Sequence, residues 1–450
     1  MIKLSLEESS QRVIRRSELV NLIKQQHAGK QGAVLFFASF EKAREAFYQD
    51  STFFYYVGLN APAVIVYQSL DQSESVLYEP NYSIDPTIWV TPTYTQKTLD
   101  QVGLTKTAFL GDKIAGYSMN LFGDVACTHK NFIELCKKSV ASVSGYLFIV
   151  IEDASDDCRA LMAQIFDAAD IDRERIIDIS SLSATLRRKK DSQEIGALYK
   201  AIEVTLIAHE AAAGVIRPGA HESDAHAAIN YIFTEGKMVP AFTSIVGSGK
   251  NSTVLHYTCN DAKLEQGDLV VVDIGAAHKH YCADISRTYP VSGVFTQRQK
   301  EVYDIVLKTQ EYISALAKPG MWLNNANNKD KSLHHLAQEF LTEHGYGQYF
   351  PHGIGHFVGL DVHDVGDRSI PLAVGDVITI EPGIYIPEER LGVRIEDMYW
   401  IVDGEAICLS DGFPKSTIEI EELMRQSEIK QDPKEGQERS SKVDQNLFLS

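Results

Sequence analysis

Three features are missing from this 450-residue sequence, and each absence argues against a class of protein. No run of about 20 apolar residues occurs, so we expect no helix that spans a membrane. The N-terminus scatters acids and bases where a secretory signal has an apolar core, which makes the cytoplasm the expected location. The six cysteines form no C-x-x-C pair, so we expect reduced core residues and neither a disulfide framework nor a thiolate zinc site.

The sequence also has fewer basic than acidic side chains. Lys and Arg number 43 against 61 Asp and Glu, and the formal net charge is −18. Nucleic-acid binding needs clustered bases that neutralise phosphates, so the expected partner is a small molecule or a peptide. The remaining composition, 44% hydrophobic and 23% charged, is that of a globular protein. A chain of this length exceeds one hydrophobic core, which predicts two domains.

The first 180 residues predict a small α/β domain. Short β-rich runs recur there between helical or turn-rich stretches, at 33–38, 53–59, 63–67, 76–79 and 146–151. Residues 181–192 then lose apolar content and carry four consecutive bases, Arg187 to Lys190. In an acidic chain such a run favours a solvated linker or the lead-in to a helix over a nucleic-acid patch.

The second domain is predicted over residues 193–424. Asp191 and Glu194 resemble a capping box at the start of a long helix. Strands and helices follow in a pattern typical of an α/β or α+β unit, with strands at 268–276 and 377–386 and helices around 297–317 and 331–344. Residues 425–450 are polar and of alternating charge, which predicts a disordered tail.

Two aspartates interrupt apolar strand sequences in VVVDIGAAHKHYCADISRTYP. A hairpin centred on His278 and Lys279 predicts that Asp273 and Asp284 lie opposite each other. Buried carboxylates held side by side repel, so a purely structural protein has little reason to keep them. A bound cation would remove the conflict, and both aspartates are therefore candidate metal ligands.

A second acidic pair repeats this arrangement. Glu381 follows the run VITI and Glu396 lies in VRIED, and the two are symmetric about a turn near Glu388 and Glu389. Any one of these acids alone would be more typical of an exposed strand residue or a turn cap. Four acids in mirrored apolar settings instead favour one metal site shared by two hairpins.

Three histidines lie between the acidic pairs in the segment HGIGHFVGLDVHD: His352, His356 and His363. The glycines around them allow backbone and ligand to approach closely. One imidazole could therefore complete the coordination of the carboxylates, whereas isolated histidines such as His334 and His335 are more typical of structural roles.

Two parts of the sequence resemble well-known motifs but differ from them at required positions. His352 and His356 are four residues apart but lack the following Glu and the helical setting of H-E-x-x-H. The segment VGSGKNS at 246–252 resembles a phosphate-binding loop, but Ser244, just upstream, stands where the first Gly is needed and Asn251 where Ser or Thr is needed. Neither zincin chemistry nor nucleotide binding at this loop is expected.

The candidate ligands resemble, in type and order, those of the pita-bread metallopeptidases, a family that includes methionine aminopeptidase, prolidase and aminopeptidase P: Asp273, Asp284, His356, Glu381 and Glu396. They lie in the matching segments VDIG, ADISRTYP, HGIGH, IEPGIY and VRIED. The resemblance covers about residues 185–424, and a weaker one to aminopeptidase P lies at 50–67. It implies a creatinase-like N-terminal α/β domain followed by a pita-bread catalytic domain.

The resemblance also implies a dinuclear metal centre. Two divalent ions are expected, Mn²⁺ first and Co²⁺ or Zn²⁺ as substitutes. Asp284 and Glu396 would bridge them, Asp273 would bind one ion, and His356 with Glu381 would bind the other. A hydroxide held by the metals would then cleave the bond between an N-terminal residue and a following proline.

Further roles follow from the same resemblance. Glu381 would take the proton of the attacking water and pass it to the prolyl nitrogen. His256 and His363 would position the substrate and stabilise the tetrahedral oxyanion, and His352 would line the proline pocket. Strand spacing, independently of the resemblance, adds Arg394. It is two residues before Glu396, so on a strand both side chains face the same side, and Arg394 would either support the carboxylates or form an ordinary salt bridge. A homodimer or homotetramer is implied as well.

Three alternatives stay open. A prolidase shares this chemistry but is restricted to dipeptides by groups that capture the free C-terminal carboxylate. A non-catalytic peptide-binding module on the same fold would have lost metal ligands, whereas all five positions are retained here. A C–N hydrolase of creatine-like compounds would likewise have altered ligands. The family likeness and the additional N-terminal domain favour an Xaa-Pro aminopeptidase.

Overall fold

The structure is a computed structural model that describes residues 5–41, 46–85, 91–104, 106–116 and 125–431. The chain divides into two compact units, Met1–Arg187 and Arg188–Ser450. Within the described ranges, no helix combines the length and apolar character that crossing a bilayer requires. The domain limits drawn from the sequence at residues 180, 192 and 424 stay predictions.

The N-terminal unit is a mixed sheet flanked by helices, which confirms the α/β prediction. Its described strands lie in the order β4-β3-β2-β1-β5-β6, with the parallel pairs β1–β5, β5–β6 and β3–β4. They are β1 (Gly32–Phe37), β2 (Ile65–Ser69), β3 (Ser75–Tyr82), β4 (Lys106–Ile114), β5 (Tyr146–Ile149) and β6 (Ile176–Asp178). The helices are α1 (Leu6–Gln26), α2 (Ser51–Val57), α3 (Gln96–Gln101), α4 (Val125–Ala141), α5 (Asp156–Ala168) and α6 (Ser180–Arg188).

The β-rich run expected at 53–59 is wrong, because that stretch belongs to helix α2. The side chain of Asp50 caps the helix by accepting a hydrogen bond from the backbone N–H of Phe53 at 2.9 Å. Gly58 ends it with φ at 75°, a left-handed conformation that glycine adopts without strain. All seven helical residues are buried, so the caps and the surrounding core override the strand preference of aromatic residues.

The basic run is not a solvated linker. Arg187, Arg188 and Lys190 have only 1%, 6% and 5% of their surfaces exposed. Arg187 lies in α6 and donates a hydrogen bond to Thr52 Oγ1 at 3.1 Å, inside the N-terminal unit. The prediction of solvation is therefore wrong, because these cations have internal acceptors that are distant in the sequence.

The C-terminal unit is α+β, with five described helices around four small sheets. The helices are α7 (Ser192–Val215), α8 (Glu222–Glu235), α9 (Gln297–Leu316), α10 (Leu333–Glu343) and α11 (Thr417–Gln431). The strands are β7 (Val239–Pro240), β8 (Ile245–Ser248), β9 (Leu269–Ile274), β10 (Ala276–His278), β11 (Tyr281–Cys282), β12 (Ile285–Pro290), β13 (Val377–Ile380), β14 (Gly383–Ile386), β15 (Leu391–Arg394), β16 (Asp397–Ile401) and β17 (Ala406–Cys408).

The ends of two helices test the sequence directly. The capping box at the start of α7 is confirmed: Asp191 accepts from the N–H of Glu194, and the Glu194 carboxylate accepts from the N–H of Asp191. Helix α11 runs to Gln431, so the disorder predicted from residue 425 is wrong for 425–431. The rest of the predicted tail, 432–450, lies outside the described residues.

The first acidic hairpin forms, but its register differs from the expected one. Lys279 and His280 make the turn, with φ at 49° and 69°, and Asp273 pairs with Ser286. Asp284 is two residues before Ser286 and therefore shares its face of the sheet. The aspartates are thus diagonal neighbours on one face and are not directly opposite, because the turn is centred one residue later than the sequence suggested.

The second acidic hairpin has the predicted register. Ile380 pairs with Asp397 and Gly383 pairs with Arg394, which places Glu381 across from Glu396. A backbone bridge between Ser286 and Glu396 joins the two hairpins. The four acids therefore occupy adjoining strands in one region of the C-terminal unit.

Candidate metal centre

Residues of both acidic hairpins line one cavity of about 490 Å³ in the C-terminal unit. Every site residue predicted from the sequence lines it: Asp273, Asp284, His356, Glu381, Glu396, His256, His352, His363 and Arg394. Hydrophobic side chains complete its wall, among them Phe242, Ile245 and Leu255. The space has the size and the mixed lining of a small-ligand site.

The tightest group in the cavity combines carboxylates with an imidazole. Ligand atoms of Asp284, His356 and Glu396 all lie within 4.8 Å of one another. His356 Nε2 is 3.3 Å from Asp284 Oδ2 and 3.6 Å from Glu381 Oε1. Its other nitrogen, Nδ1, lies 3.1 Å from the carbonyl oxygen of Phe357, to which it can donate. In that tautomer Nε2 presents a lone pair to the cavity.

Asp273 supplies a direct test of whether a cation fits. Its Oδ2 accepts a hydrogen bond from Arg394 Nη2 at 2.8 Å. Its Oδ1 is buried and has no hydrogen-bond partner in the described part of the protein. A buried carboxylate oxygen without a donor is costly, and a metal ion would satisfy it. Oxygen ligands with one imidazole suit hard or borderline divalent ions, so the donor set fits.

The electrostatics of the cluster lead to the same conclusion. Without a cation, burial raises the pKa of Asp284 well above its usual range, and the charges of Asp273 and Glu381 add to the shift. Burial also raises the pKa of Glu396, with further contributions from Asp284 and Glu381. Burial raises the pKa of Glu381 in the same way. The Arg394 guanidinium acts to lower all three pKa values but does not offset these shifts, whereas bound divalent cations could balance the carboxylates.

Arg394 connects the two hairpins through its hydrogen bonds. Besides Asp273, its Nε donates to Ser286 Oγ at 2.9 Å and its Nη1 to Tyr385 Oη at 2.9 Å. Ser286 Oγ in turn donates to Glu396 Oε2 at 2.8 Å. The guanidinium therefore orients one carboxylate directly and another through a hydroxyl, which is more than an isolated ion pair does.

Sequence reasoning did not single out Ser286 and Tyr385. Ser286 is two residues after Asp284, and Tyr385 is four residues after Glu381. Residues two or four apart on a strand face the same side, so strand parity alone could have identified both hydroxyls as neighbours of the ligands.

Two of the cavity histidines, His352 and His363, have lowered pKa values. Burial lowers the pKa of His352 to about 4, and burial together with His356 lowers that of His363 to about 4. His352 Nε2 lies 3.0 Å from Tyr385 Oη, and its Nδ1 is 3.8 Å from Glu381 Oε2. The ring of His363 stands edge-on to that of His356 with centroids 4.3 Å apart. Neutral imidazoles can donate or accept hydrogen bonds with an uncharged peptide group.

Comparisons with known proteins match both units. Residues 196–403 match Metallopeptidase family M24, and residues 13–123 match the N-terminal domain of aminopeptidase P. An Xaa-Pro aminopeptidase of Escherichia coli (strain K12) is 32% identical over 435 residues, which span 90% of this chain and 95% of that protein. An Xaa-Pro dipeptidase of Pyrococcus furiosus is 41% identical over 234 residues, which span 51% of this chain and 64% of that protein. A solved structure of aminopeptidase P from E. coli aligns with a TM-score of 0.75 at 27% identity, over 95% of this chain and 99% of that one.

Proposed function

The chain belongs to metallopeptidase family M24, and we propose that it is an Xaa-Pro aminopeptidase, a metal-dependent exopeptidase that removes an N-terminal residue preceding proline. The observation that carries the proposal is the convergence of both acidic hairpins and His356 on one cavity. The choice of aminopeptidase over dipeptidase is supported by coverage. The likeness to an Xaa-Pro aminopeptidase extends over 90% of this chain, whereas that to an Xaa-Pro dipeptidase stops at 51%.

We assign the divalent metals to the residues that the sequence singled out. Asp284 and Glu396 would be shared, Asp273 would hold one ion, and His356 with Glu381 would hold the other. The unpartnered Oδ1 of Asp273 and the raised carboxylate pKa values support this assignment. When bound, the ions would polarise the scissile carbonyl and lower the pKa of a water molecule. Mn²⁺ is the first choice, with Co²⁺ or Zn²⁺ as substitutes.

Glu381 is proposed as the proton carrier. Its carboxylate borders the cavity, with Oε1 facing His356 and Oε2 facing His352. From this position it can accept a proton from water and deliver it to the nitrogen of the leaving proline. The leaving nitrogen must gain one proton as the C–N bond breaks, and the nitrogen of proline, which has no hydrogen in the peptide, then leaves as a secondary amine. A carboxyl group in this position can act first as the base and then as the acid in the two transfers.

The histidines and Arg394 are proposed to handle the substrate. His363 and His256 line the cavity and would donate to the oxyanion as the carbonyl becomes tetrahedral. His352, which contacts Phe350 and Tyr385 through ring faces and edges, would pack against the proline ring. Arg394 would keep the carboxylates in place while they bind metal.

Several finer assignments are supported only by the resemblance or by the sequence composition. We propose a creatinase-like domain over residues 1–180, a linker at 181–192 and a catalytic pita-bread domain over 193–424. A homodimer or homotetramer in the cytoplasm is proposed on the same basis. Peptides with proline at the second position are the proposed substrates.

Peptide length tests the function. The metal-loaded protein is assayed on Xaa-Pro-Xaa and Xaa-Pro peptides, with Xaa-Ala-Xaa as the matched control. Faster cleavage of the longer proline peptide is expected. A preference for the dipeptide would support the prolidase alternative, and binding of both peptides without cleavage would support the peptide-binding module. Dialysis against EDTA should remove the activity and Mn²⁺ should restore it, and activity that survives dialysis would contradict the metal assignment.

A further inference from the structure

A buried ion pair lies beside the cavity but outside the candidate ligands. Lys190 Nζ is 2.9 Å from Asp364 Oδ2, and the two side chains are 1% and 2% exposed. Gly359 makes room for the pair, because a Cβ at this position would collide with both Asp364 Oδ2 and Lys190 Nζ. The chain therefore keeps one position free of a side chain where these two charges meet.

A second cation of the same short run makes a parallel contact. Arg188 donates from Nε to Asp376 Oδ1 at 2.9 Å, and its Nη2 contacts the other oxygen of the same carboxylate. It also donates to the carbonyl of Pro371 at 3.2 Å, and its guanidinium lies 4.9 Å from the centre of the Phe357 ring. The side chains of Arg188 and Asp376 are 7% and 2% exposed. A bidentate pair of this kind fixes orientation as well as distance.

The Lys190–Asp364 and Arg188–Asp376 pairs both involve the same irregular segment. Residues 358–376, all of which the structure describes, form neither helix nor strand. His363 and Arg368 of this segment line the cavity. Asp364 directly follows His363, and Asp376 is the last residue of the segment before β13. Scattered backbone hydrogen bonds also hold it, such as those from Asp364 N to Phe357 O and from Leu372 N to Met321 O. Without a continuous ladder, the conformation of the segment depends in addition on the two ion pairs.

We propose that Lys190 and Arg188 are positioning residues that, through Asp364 and Asp376, fix segment 358–376 and so the direction in which His363 and Arg368 meet the substrate. The proposal rests on the proposed function, because it concerns the same cavity. Stability alone does not account for the pairs, since well-packed apolar residues often stabilise a core as well as a buried ion pair does. What a charged pair adds is a fixed geometry.

The test separates positioning from stability with three variants. Lys190→Met removes one charge, and Lys190→Met combined with Asp364→Leu replaces the pair by apolar side chains. Lys189→Met is the matched control, because the Lys189 side chain is exposed. We expect Lys190→Met to lower kcat/KM on the order of 10- to 100-fold at unchanged metal content. The double variant should recover the wild-type midpoint of thermal unfolding but not the wild-type kcat/KM. Lys189→Met should match the wild type in both.

Coupling to His363 gives a second readout. If Lys190 acts through the segment that carries His363, Lys190→Met should have little further effect on kcat in a His363→Ala background. Independent, multiplying effects would overturn the proposal. So would recovery of activity together with stability in the apolar double variant.

A third readout does not depend on turnover. Hydrogen exchange of the amides in 358–370 is measured on metal-free wild type, Lys190→Met and Lys189→Met. Faster exchange in Lys190→Met alone supports the proposal, and equal exchange in all three overturns it. If the wild type cleaves no Xaa-Pro peptide, the proposed function fails, and the exchange measurement still decides the positioning role.

Discussion

Glu396 and Asp397 are consecutive residues with the same burial and opposite electrostatics. Their surfaces are 2% and 0% exposed. Burial raises the pKa of Glu396 well above its usual range, and the neighbouring carboxylates Asp284 and Glu381 add to the shift. Burial also acts to raise the pKa of Asp397, but Arg287 and Lys415 outweigh it and hold that pKa below the usual range. Two neighbours in the sequence thus belong to two different charge systems.

The contacts of Asp397 explain the difference. Its Oδ1 pairs with Arg287 Nη2 at 2.8 Å and accepts from Ser410 Oγ at 2.6 Å, while Lys415 Nζ lies 3.2 Å from its Oδ2. This carboxylate has its cations built into the chain. Glu396 and its three acidic neighbours share Arg394, which pairs with Asp273, and the remaining negative charge calls for cations from solution. A balanced buried network is structural, whereas an unbalanced one in a cavity indicates a functional site.

The largest expected effect separates the two systems by activity. Glu381→Ala removes a proposed ligand and proton carrier, and kcat/KM should fall on the order of 10²- to 10⁴-fold. Glu388→Ala, at an exposed position in the turn of the same hairpin, is the control and should leave turnover unchanged. Steady-state kinetics with parallel metal analysis checks both variants. Full activity of Glu381→Ala would remove the acidic cluster from the mechanism.

The next prediction separates the two systems by stability. Asp397→Asn leaves Arg287 buried beside a neutral partner and should lower the free energy of unfolding by about 3–5 kcal/mol. Glu396→Gln in metal-free protein should cost nothing or should stabilise, because it removes one of several repelling charges. Urea unfolding in EDTA compares the two variants. Equal losses would show that both carboxylates have the same structural role.

A third buried carboxylate sharpens the comparison, because neutral donors alone surround it. Glu222 is 0% exposed. Its Oε1 accepts from the backbone N–H of Ser248 at 2.7 Å, and its Oε2 accepts from the N–H of Ala262 at 2.9 Å and from Tyr257 Oη at 2.8 Å. These bonds hold the stretch that includes His256. For Glu222, hydrogen bonds take the place that Arg287 and Lys415 have for Asp397 and that a bound metal would have for Glu396.

Glu222→Gln should therefore be destabilising by about 1–3 kcal/mol, because an amide NH₂ in either orientation would face a backbone N–H donor. The activity should fall as well, since the stretch with His256 loses a support. Glu265→Gln, at an exposed position, is the control. Thermal unfolding and kcat/KM on the proline peptide are measured together, and an unchanged midpoint would contradict the role of Glu222.

The candidate ligands could be named from the sequence, because an acid inside an apolar strand is visible without a structure, and the structure brings them to one cavity. The sequence also predicted the pairing of Glu381 with Glu396, since the two are symmetric about a turn near Glu388 and Glu389. It misplaced the register of the first hairpin, where Lys279 and His280 adopt positive φ without a glycine to signal it.

Other features could not be predicted because they depend on distant contacts. Arg188 and Lys190 of the basic run are buried through their acceptors Asp376 and Asp364, more than 170 residues away in the chain. Nothing local distinguishes these bases from solvated ones. Helix α2 was missed for a similar reason, because its aromatic residues favour a strand until the caps and the core are known.

The smallest expected effect concerns the pH dependence of stability, which should have opposite signs in the two charge systems. In metal-free protein the folded pKa of Glu396 is raised, so above its ordinary value of 4.5 the folded state binds more protons than the unfolded state. Stability from this group is therefore present below pH 4.5 and is lost as the pH rises through the raised pKa. Asp397 has a lowered pKa, so its contribution is present above 3.8 and is lost as the pH falls through the folded pKa.

Wild type and Glu396→Gln should accordingly diverge as the pH rises from 4.5, by about 1 kcal/mol per pH unit until the raised pKa is reached. Urea unfolding in EDTA at pH 5, 6 and 7 measures the difference. Mn²⁺ should reverse the wild-type loss at pH 7, because it binds the folded state and removes the repulsion. If the two proteins keep a constant difference in stability, or if Mn²⁺ stabilises both equally, Glu396 is not part of an unbalanced site and the contrast with Asp397 fails.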